Sequence, residues 1–205
     1  MKAAIINYGV GNLFSISSAL KRVGFDIDVK DDIGRNWREY DLVIFPGVGT
    51  FKAVAMYFNK RLGIFEDIKR SGMVFLGICV GMQIMFDYGL EGGFNKGLGW
   101  VKGYVDKLKT NLKLPHIGWD KVYISTSNND ICLHFMEIDK SYMYFIHSYV
   151  VYPAKSEAIC MLSYYGEQFP ALIIENNIVG TQFHPEKSSK SGVAFLKILA
   201  KWLKC

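Results

Sequence analysis

The first half of the chain alternates short unbroken apolar runs with stretches of helical period. Lys2 to Ile6 is one such run, Leu42 to Phe45 a second stopped by Pro46-Gly47, and Val74-Phe75-Leu76 a third stopped by Gly77. Runs of this length predict buried strands covered on both faces, as in a parallel sheet. Leu13, Ile16, Leu20 and Val23 recur at helical spacing and predict an amphipathic helix from Leu13 to Val23, ended by Gly24. Asp26 to Lys30 alternates as another strand, and Met82 to Phe86 reads as a short helix. A helix or irregular connection precedes each later run.

Beyond Gly89 the pattern changes. Gly89 to Gly99 holds five glycines, and β-rich segments follow at Gly99 to Leu108, Lys121 to Ile124, Tyr142 to Tyr152, Ala158 to Tyr165 and Ala171 to Phe183. Gly192 to Leu203 closes the chain as a helix whose apolar stripe is Val193, Leu196, Leu199, Ala200 and Leu203. The expected fold is an α/β sandwich, a central mostly parallel sheet with an added antiparallel portion, in a single domain over residues 1–205.

With 205 residues, 50% of them hydrophobic, the chain can bury one sizeable core. No apolar stretch approaches the roughly 20 residues needed to span a bilayer, and the run before Asn7 is too short for a signal-peptide core. The expectation is a soluble, cytoplasmic protein. Cys79, Cys132, Cys160 and Cys205 show no C-x-x-C spacing, which argues against a zinc site or redox dithiol; free thiols fit a reducing cytosol, with Cys205 an exposed terminal residue. The net charge of +5 is spread along the chain apart from a cluster on the last helix, so nucleic acid is not an expected partner.

Chemistry concentrates at two places. Cys79 follows the run ending at Leu76-Gly77 and lies between Gly77 and Gly81, the G-x-nucleophile-x-G spacing of a strained strand-to-helix elbow. Such a turn lifts the sulfur out of the sheet at a helix N-terminus, where free N–H groups favour a thiolate. His184, with Pro185 and Glu186, ends the strand-like run that begins at Ile178, so a carboxylate stands two residues beyond an imidazole that it could orient. A lone cysteine is ordinarily an inert core residue and a His-Glu pair an exposed loop; it is the elbow that favours a nucleophile, base and orienter. Pro46-Gly47-Val48-Gly49 also follows a strand, and either a tight turn or a source of oxyanion-binding amides fits it. Tyr8-Gly9-Val10-Gly11-Asn12 superficially suggests a dinucleotide loop, but Phe14 occupies the third glycine position, and no cofactor or metal is expected. His116, His134 and His147 read as structural or interface residues.

The elbow with Gln83 and the distal His-Pro-Glu resembles the class I (triad) glutamine amidotransferases, whose flavodoxin-like fold the chain is expected to share. The likeness runs in order through Tyr8 to Asn12, Pro46 to Phe51, His116-Ile117-Gly118-Trp119, Phe145 to Tyr149 and Gln182 to Lys187, and favours the glutaminase subunits of the histidine pathway. It implies that Cys79 attacks the glutamine amide, that His184 protonates the leaving ammonia and that Glu186 orients His184. The backbone of Val80 with Val48 and Gly49 would hold the oxyanion, and Gly47, Gln83, Ser148 and Tyr149 the substrate's amino-acid end. It further implies a heterodimer with a HisF-type (β/α)8-barrel cyclase, which would turn the ammonia into imidazole glycerol phosphate and aminoimidazole carboxamide ribotide, with Trp119, Asp120 and Lys187 at the docking face. Two positions depart from the pattern: Asp120 stands where the family usually has Asn, and Val80 where it has Leu. A glutaminase serving another partner, such as a surface-sugar amidating ligase, and a non-catalytic or redox-sensing α/β protein remain open alternatives.

Overall fold

The computed structural model describes residues 1–9, 11–125 and 130–204, so Val10 of the first glycine loop and Cys205 lie outside the described residues. Its central sheet begins with β1 (Lys2–Ile6), β2 (Asp26–Lys30), β3 (Leu42–Phe45) and β4 (Val74–Ile78). Helix α1 (Leu13–Arg22) joins β1 to β2, while α2 (Phe51–Asn59) and α3 (Leu62–Arg70) lie between β3 and β4. The apolar runs are unbroken because consecutive residues serve two cores. Ala3 and Ile5 pack with Ile16 and Leu20 of α1, whereas Ala4 and Ile6 face the other layer with Phe51, Val54 and Phe58 of α2. Phe45 anchors that second layer, its ring 4.5 Å from Phe58 and 5.4 Å from both Phe65 and Phe75.

After β4 come a one-turn helix, α4 (Val80–Gln83), then β5 (Phe86–Gly89), β6 (Asn95–Lys96), β7 (Val101–Lys107), β8 (His116–Lys121) and β9 (Tyr123–Ile124). The chain continues through β10 (Tyr142–His147), β11 (Tyr149–Pro153), β12 (Ile159–Tyr164), β13 (Gln168–Glu175) and β14 (Ile178–Thr181) to α5 (Ser189–Trp202). The central sheet has the order β2-β1-β3-β4-β14-β13-β12-β9. It is parallel from β2 to β14 and antiparallel beyond. A second sheet has the order β11-β7-β5-β6, and β10 pairs with β8 as a ribbon. The expected α/β sandwich with a mostly parallel sheet and an antiparallel portion is therefore present. No helix among the described residues is long and apolar enough to cross a membrane.

Several boundaries depart from the sequence reading. The helix expected from Met82 to Phe86 stops at Gln83, because Phe86 and Tyr88 pair with Val101 and Tyr104 of β7. The segment from Tyr142 to Tyr152 divides at Ser148, where the chain leaves β8 and joins β7. Ala171 to Phe183 contains a hairpin turn, with Asn176 at φ 54°. The strand β8 over His116–Lys121 is absent from the sequence reading: its exposed positions, Ile117 and Trp119, are the apolar ones, which reverses the usual alternation. Cys132 and Cys160 are not free thiols but form a disulfide, their Cα atoms 5.1 Å apart across 28 residues. Motif spacing is blind to such a pair, which ties the 3-10 segment Asp130–Ile138 to β12.

A side chain at Gly81 would strike the Phe45 carbonyl, whereas a Cβ at Gly63 in α3 meets nothing within 4 Å among the described residues. Gly81→Ala is expected to cost about 2–3 kcal/mol by overpacking, and Gly63→Ala to gain about 0.5–1 kcal/mol from helix propensity. Urea unfolding midpoints of the two variants check both signs.

Candidate active site

β4 lies between β3 and β14, with Gly77 opposite Phe45 on one side and Gly180 on the other. A Cβ at Gly77 would come within 2.6 Å of the Gly81 carbonyl and the Met82 main chain, so the elbow closes this tightly only around glycine. Cys79 takes up the turn at φ 50° and ψ −112°, a conformation costing a non-glycine residue about 1–3 kcal/mol. Its N–H donates to the Thr181 carbonyl at 2.6 Å, and the Met82 and Gln83 N–H groups return to the Cys79 carbonyl at 3.0 Å. Because α4 is a single turn, it offers the local N–H groups of its start, Val80 first, rather than a long helix dipole.

Cys79 is 7% exposed, and its sulfur meets the Gln182 amide, which donates to Sγ at 3.4 Å, and the Ile146 carbonyl at 3.8 Å. His184 faces it from the end of β14. The His184 Nδ1 is 2.8 Å from Glu186 Oε1, so the imidazole and the carboxylate that the sequence pairs stand in hydrogen-bond contact. Burial alone would lower the His184 imidazole, but Cys79 and Glu186, through hydrogen bonding and charge, outweigh it and push the group up to about 10. In geometry, Nε2 remains buried without a completed hydrogen bond among the described residues, and the Cys79 sulfur enters as a near neighbour and charge rather than a well-aligned partner.

Ser188 holds His184 in place, and the sequence reading missed it. Its hydroxyl, fully buried, donates to the His184 carbonyl at 2.6 Å and accepts from the Tyr144 N–H at 2.9 Å, while the His184 N–H donates to the Tyr144 carbonyl at 2.9 Å. A serine four residues after a His-Pro-Glu is a recognisable signal only if one asks how the loop is fastened. Gln182, likewise overlooked as a contact, links the sulfur to Gln83, whose Nε2 donates to Gln182 Oε1 at 3.2 Å and to the Tyr149 carbonyl at 2.9 Å.

The remaining expected residues fall around this centre. Gly47 is buried against the Ile78 carbonyl, Val48 is half-buried, and Gly49 is exposed at φ +114°. The Tyr8 hydroxyl donates to the Pro46 carbonyl and so fastens this loop; burial, then the charge of Cys79, pushes the phenol well up. Ser148 and Tyr149 occupy the sheet-switch beside Gln83. Trp119 and Lys187 come together at the Tyr144 ring, 5.8 Å from the Trp119 ring and 5.6 Å from Lys187 Nζ, whereas Asp120, next on β8, turns its carboxylate to the other face, onto His116. His116 and His147 are buried and bonded to each other at 3.2 Å.

The family model for class-I glutamine amidotransferases matches residues 4–199, and the chain belongs to that family. It is a glutaminase-class enzyme. Within the class it is a HisH-type subunit. The imidazole glycerol phosphate synthase subunit HisH of Saccharolobus solfataricus is 54% identical over 204 residues, covering 100% of both chains. The same subunit of Aquifex aeolicus is 40% identical over 96% of this chain and 95% of its own. Among solved structures, PurLQS from Thermotoga maritima superposes with a TM-score of 0.74 over 98% of each chain at 17% identity. The glutaminase domain of CTPS from Trypanosoma brucei superposes at 0.63 over 98% of this chain and 93% of its own, at 16% identity. These two show the shared fold.

Because Cys79 is strained, Cys79→Gly is expected to be more stable than Cys79→Ala by about 1 kcal/mol despite glycine's entropic cost, and both to be inactive. Thermal unfolding of the pair measures the difference. His184 is raised from 6.5, so its contribution to stability is complete below that value and lost as pH rises through about 10. Glu186→Gln removes one of the raising groups; the alkaline limb of glutamine turnover should move to lower pH and kcat fall by about 10²-fold or more. A pH–rate profile checks both.

Proposed function

We propose that this chain hydrolyses L-glutamine to L-glutamate and ammonia through Cys79, His184 and Glu186, and hands the ammonia to a HisF-type cyclase. That partner would use it to form imidazole glycerol phosphate and aminoimidazole carboxamide ribotide. The observation that carries the reading is the buried line from Cys79 through His184 to Glu186 Oε1 in a chain that matches HisH subunits end to end.

The steps follow from the groups present. Cys79 Sγ attacks the side-chain amide carbon, and the oxygen of the tetrahedral species meets the Val80 N–H and amides of the Val48-Gly49 loop, a donor of this kind being worth about 3–4 kcal/mol. His184, as imidazolium, gives its proton to the departing nitrogen, and ammonia leaves. The neutral imidazole then takes a proton from water, which attacks the thioester; the C–S bond breaks, glutamate departs and the sulfur is restored. Gln83 and the 148–149 main chain supply amide and carbonyl groups suited to an amino acid's α-ammonium and carboxylate, while Glu186 keeps Nδ1–H paired so that Nε2 faces the reaction.

A partner is supported by the surface of the β8–β10 ribbon. Ile117, Trp119 and Tyr142 are 58%, 47% and 53% exposed, an apolar patch with Lys187 beside it. Ammonia released there into water would be largely protonated and useless as a nucleophile, so delivery to a docked barrel makes chemical sense.

Cys79→Ala should abolish glutamine-dependent synthesis by the chain with its cyclase while leaving synthesis from added ammonium salt intact, as a coupled assay of both nitrogen sources would register. Loss of both activities would contradict the division of labour.

A further inference from the structure

Behind the triad a second chain of hydrogen bonds runs from the docking edge to the glutamine segment. Asp120 Oδ2 is 2.7 Å from His116 Nε2, and His116 Nδ1 is 3.2 Å from His147 Nε2. His116 is 1% and His147 6% exposed, whereas the Asp120 side chain is 38% exposed. The rings are caged by Phe145, Tyr165 and Phe169, with Tyr165 stacked on His116 at 4.0 Å. His147 in turn ends β10, and the main chain around it holds the catalytic face: Ile146 O takes the Cys79 sulfur contact, and Tyr149 O accepts from Gln83.

We propose that Asp120, through His116 and His147, is a positioning residue for glutamine: it sets the proton arrangement of both rings and so holds the 146–149 main chain in its substrate-ready place. The inference rests on the glutaminase reading above. A carboxylate only accepts, so His116 carries its proton on Nε2 and offers a bare Nδ1; His147 must then donate from Nε2. Each ring bears one proton, in keeping with burial, which lowers His116 and takes His147 down to about 3. The other titratable groups facing the pair are His184 beside His147 and the Tyr165 phenol on His116. His147 Nδ1 lies against the Tyr149 main chain without a completed hydrogen bond among the described residues.

The test uses the full chain labelled with 15N-histidine, in wild-type, Asp120→Leu and Asp120→Asn forms. NMR reads the tautomers, and alkylation of Cys79 by a glutamine-like electrophile reads the glutamine concentration that half-protects it. Wild type should show Nε2–H on both rings. Asp120→Leu should mix the tautomers and raise the half-protecting concentration about ten-fold, the effect of one lost buried hydrogen bond. Asp120→Asn keeps an acceptor and should restore both readouts. An Nδ1–H tautomer on His147 in wild type, or an Asp120→Leu chain protected like wild type, overturns the relay while leaving the glutaminase intact. A wild-type Cys79 that glutamine fails to protect overturns the glutaminase reading and the relay with it.

Discussion

The 2.6 Å hydrogen bond from the Cys79 N–H to the Thr181 carbonyl is the constraint on which the rest of the molecule depends. It continues the β4–β14 ladder one residue past the end of β4 and locks the elbow into the sheet. With that bond made, the next residues of the β14 strand have nowhere to go but alongside the sulfur. Gln182 reaches Sγ, Phe183 fills the core, and His184 arrives opposite the nucleophile. Two segments about a hundred residues apart in sequence thus become one site by strand pairing.

Strain and burial at this junction are balanced by packing. The φ of 50° at Cys79 costs about 1–3 kcal/mol, and it persists because Gly77 and Gly81 let the turn press on the Phe45 and Met82 main chain. His184 is 1% exposed, which by itself disfavours its charged form; the carboxylate of Glu186 and the neighbouring sulfur reverse that preference. Ser188 and the Tyr144 main chain then fix the base from behind, so the imidazole is held by its ring and its backbone at once.

The sequence showed the parallel half of the fold clearly, since Lys2–Ile6, Leu42–Phe45 and the Val74 run are apolar on both faces and admit little else. The candidate triad stood out for a related reason: Gly77, Cys79 and Gly81 form a local pattern, and His184 and Glu186 are two residues apart. What escaped were features made by distant partners. The β8 strand hid because its solvent face is the apolar one, at Ile117 and Trp119, and the Cys132–Cys160 bridge hid because spacing carries no information about a pair 28 residues apart. That bridge also removes the inference of a reducing compartment from free thiols. Ser188, Gln182 and the bond between His116 and His147 were invisible for the same reason, being contacts across elements rather than patterns within them.

The most direct measurement is rapid-quench mass spectrometry of the chain, with its cyclase, turning over glutamine. A glutamyl group should appear on the peptide carrying Cys79, accumulate within a single turnover and be absent from a chain lacking that sulfur. Glutamate and ammonia formed at the normal rate with no acyl group on Cys79, or with the group on another residue, would contradict nucleophilic catalysis at the elbow.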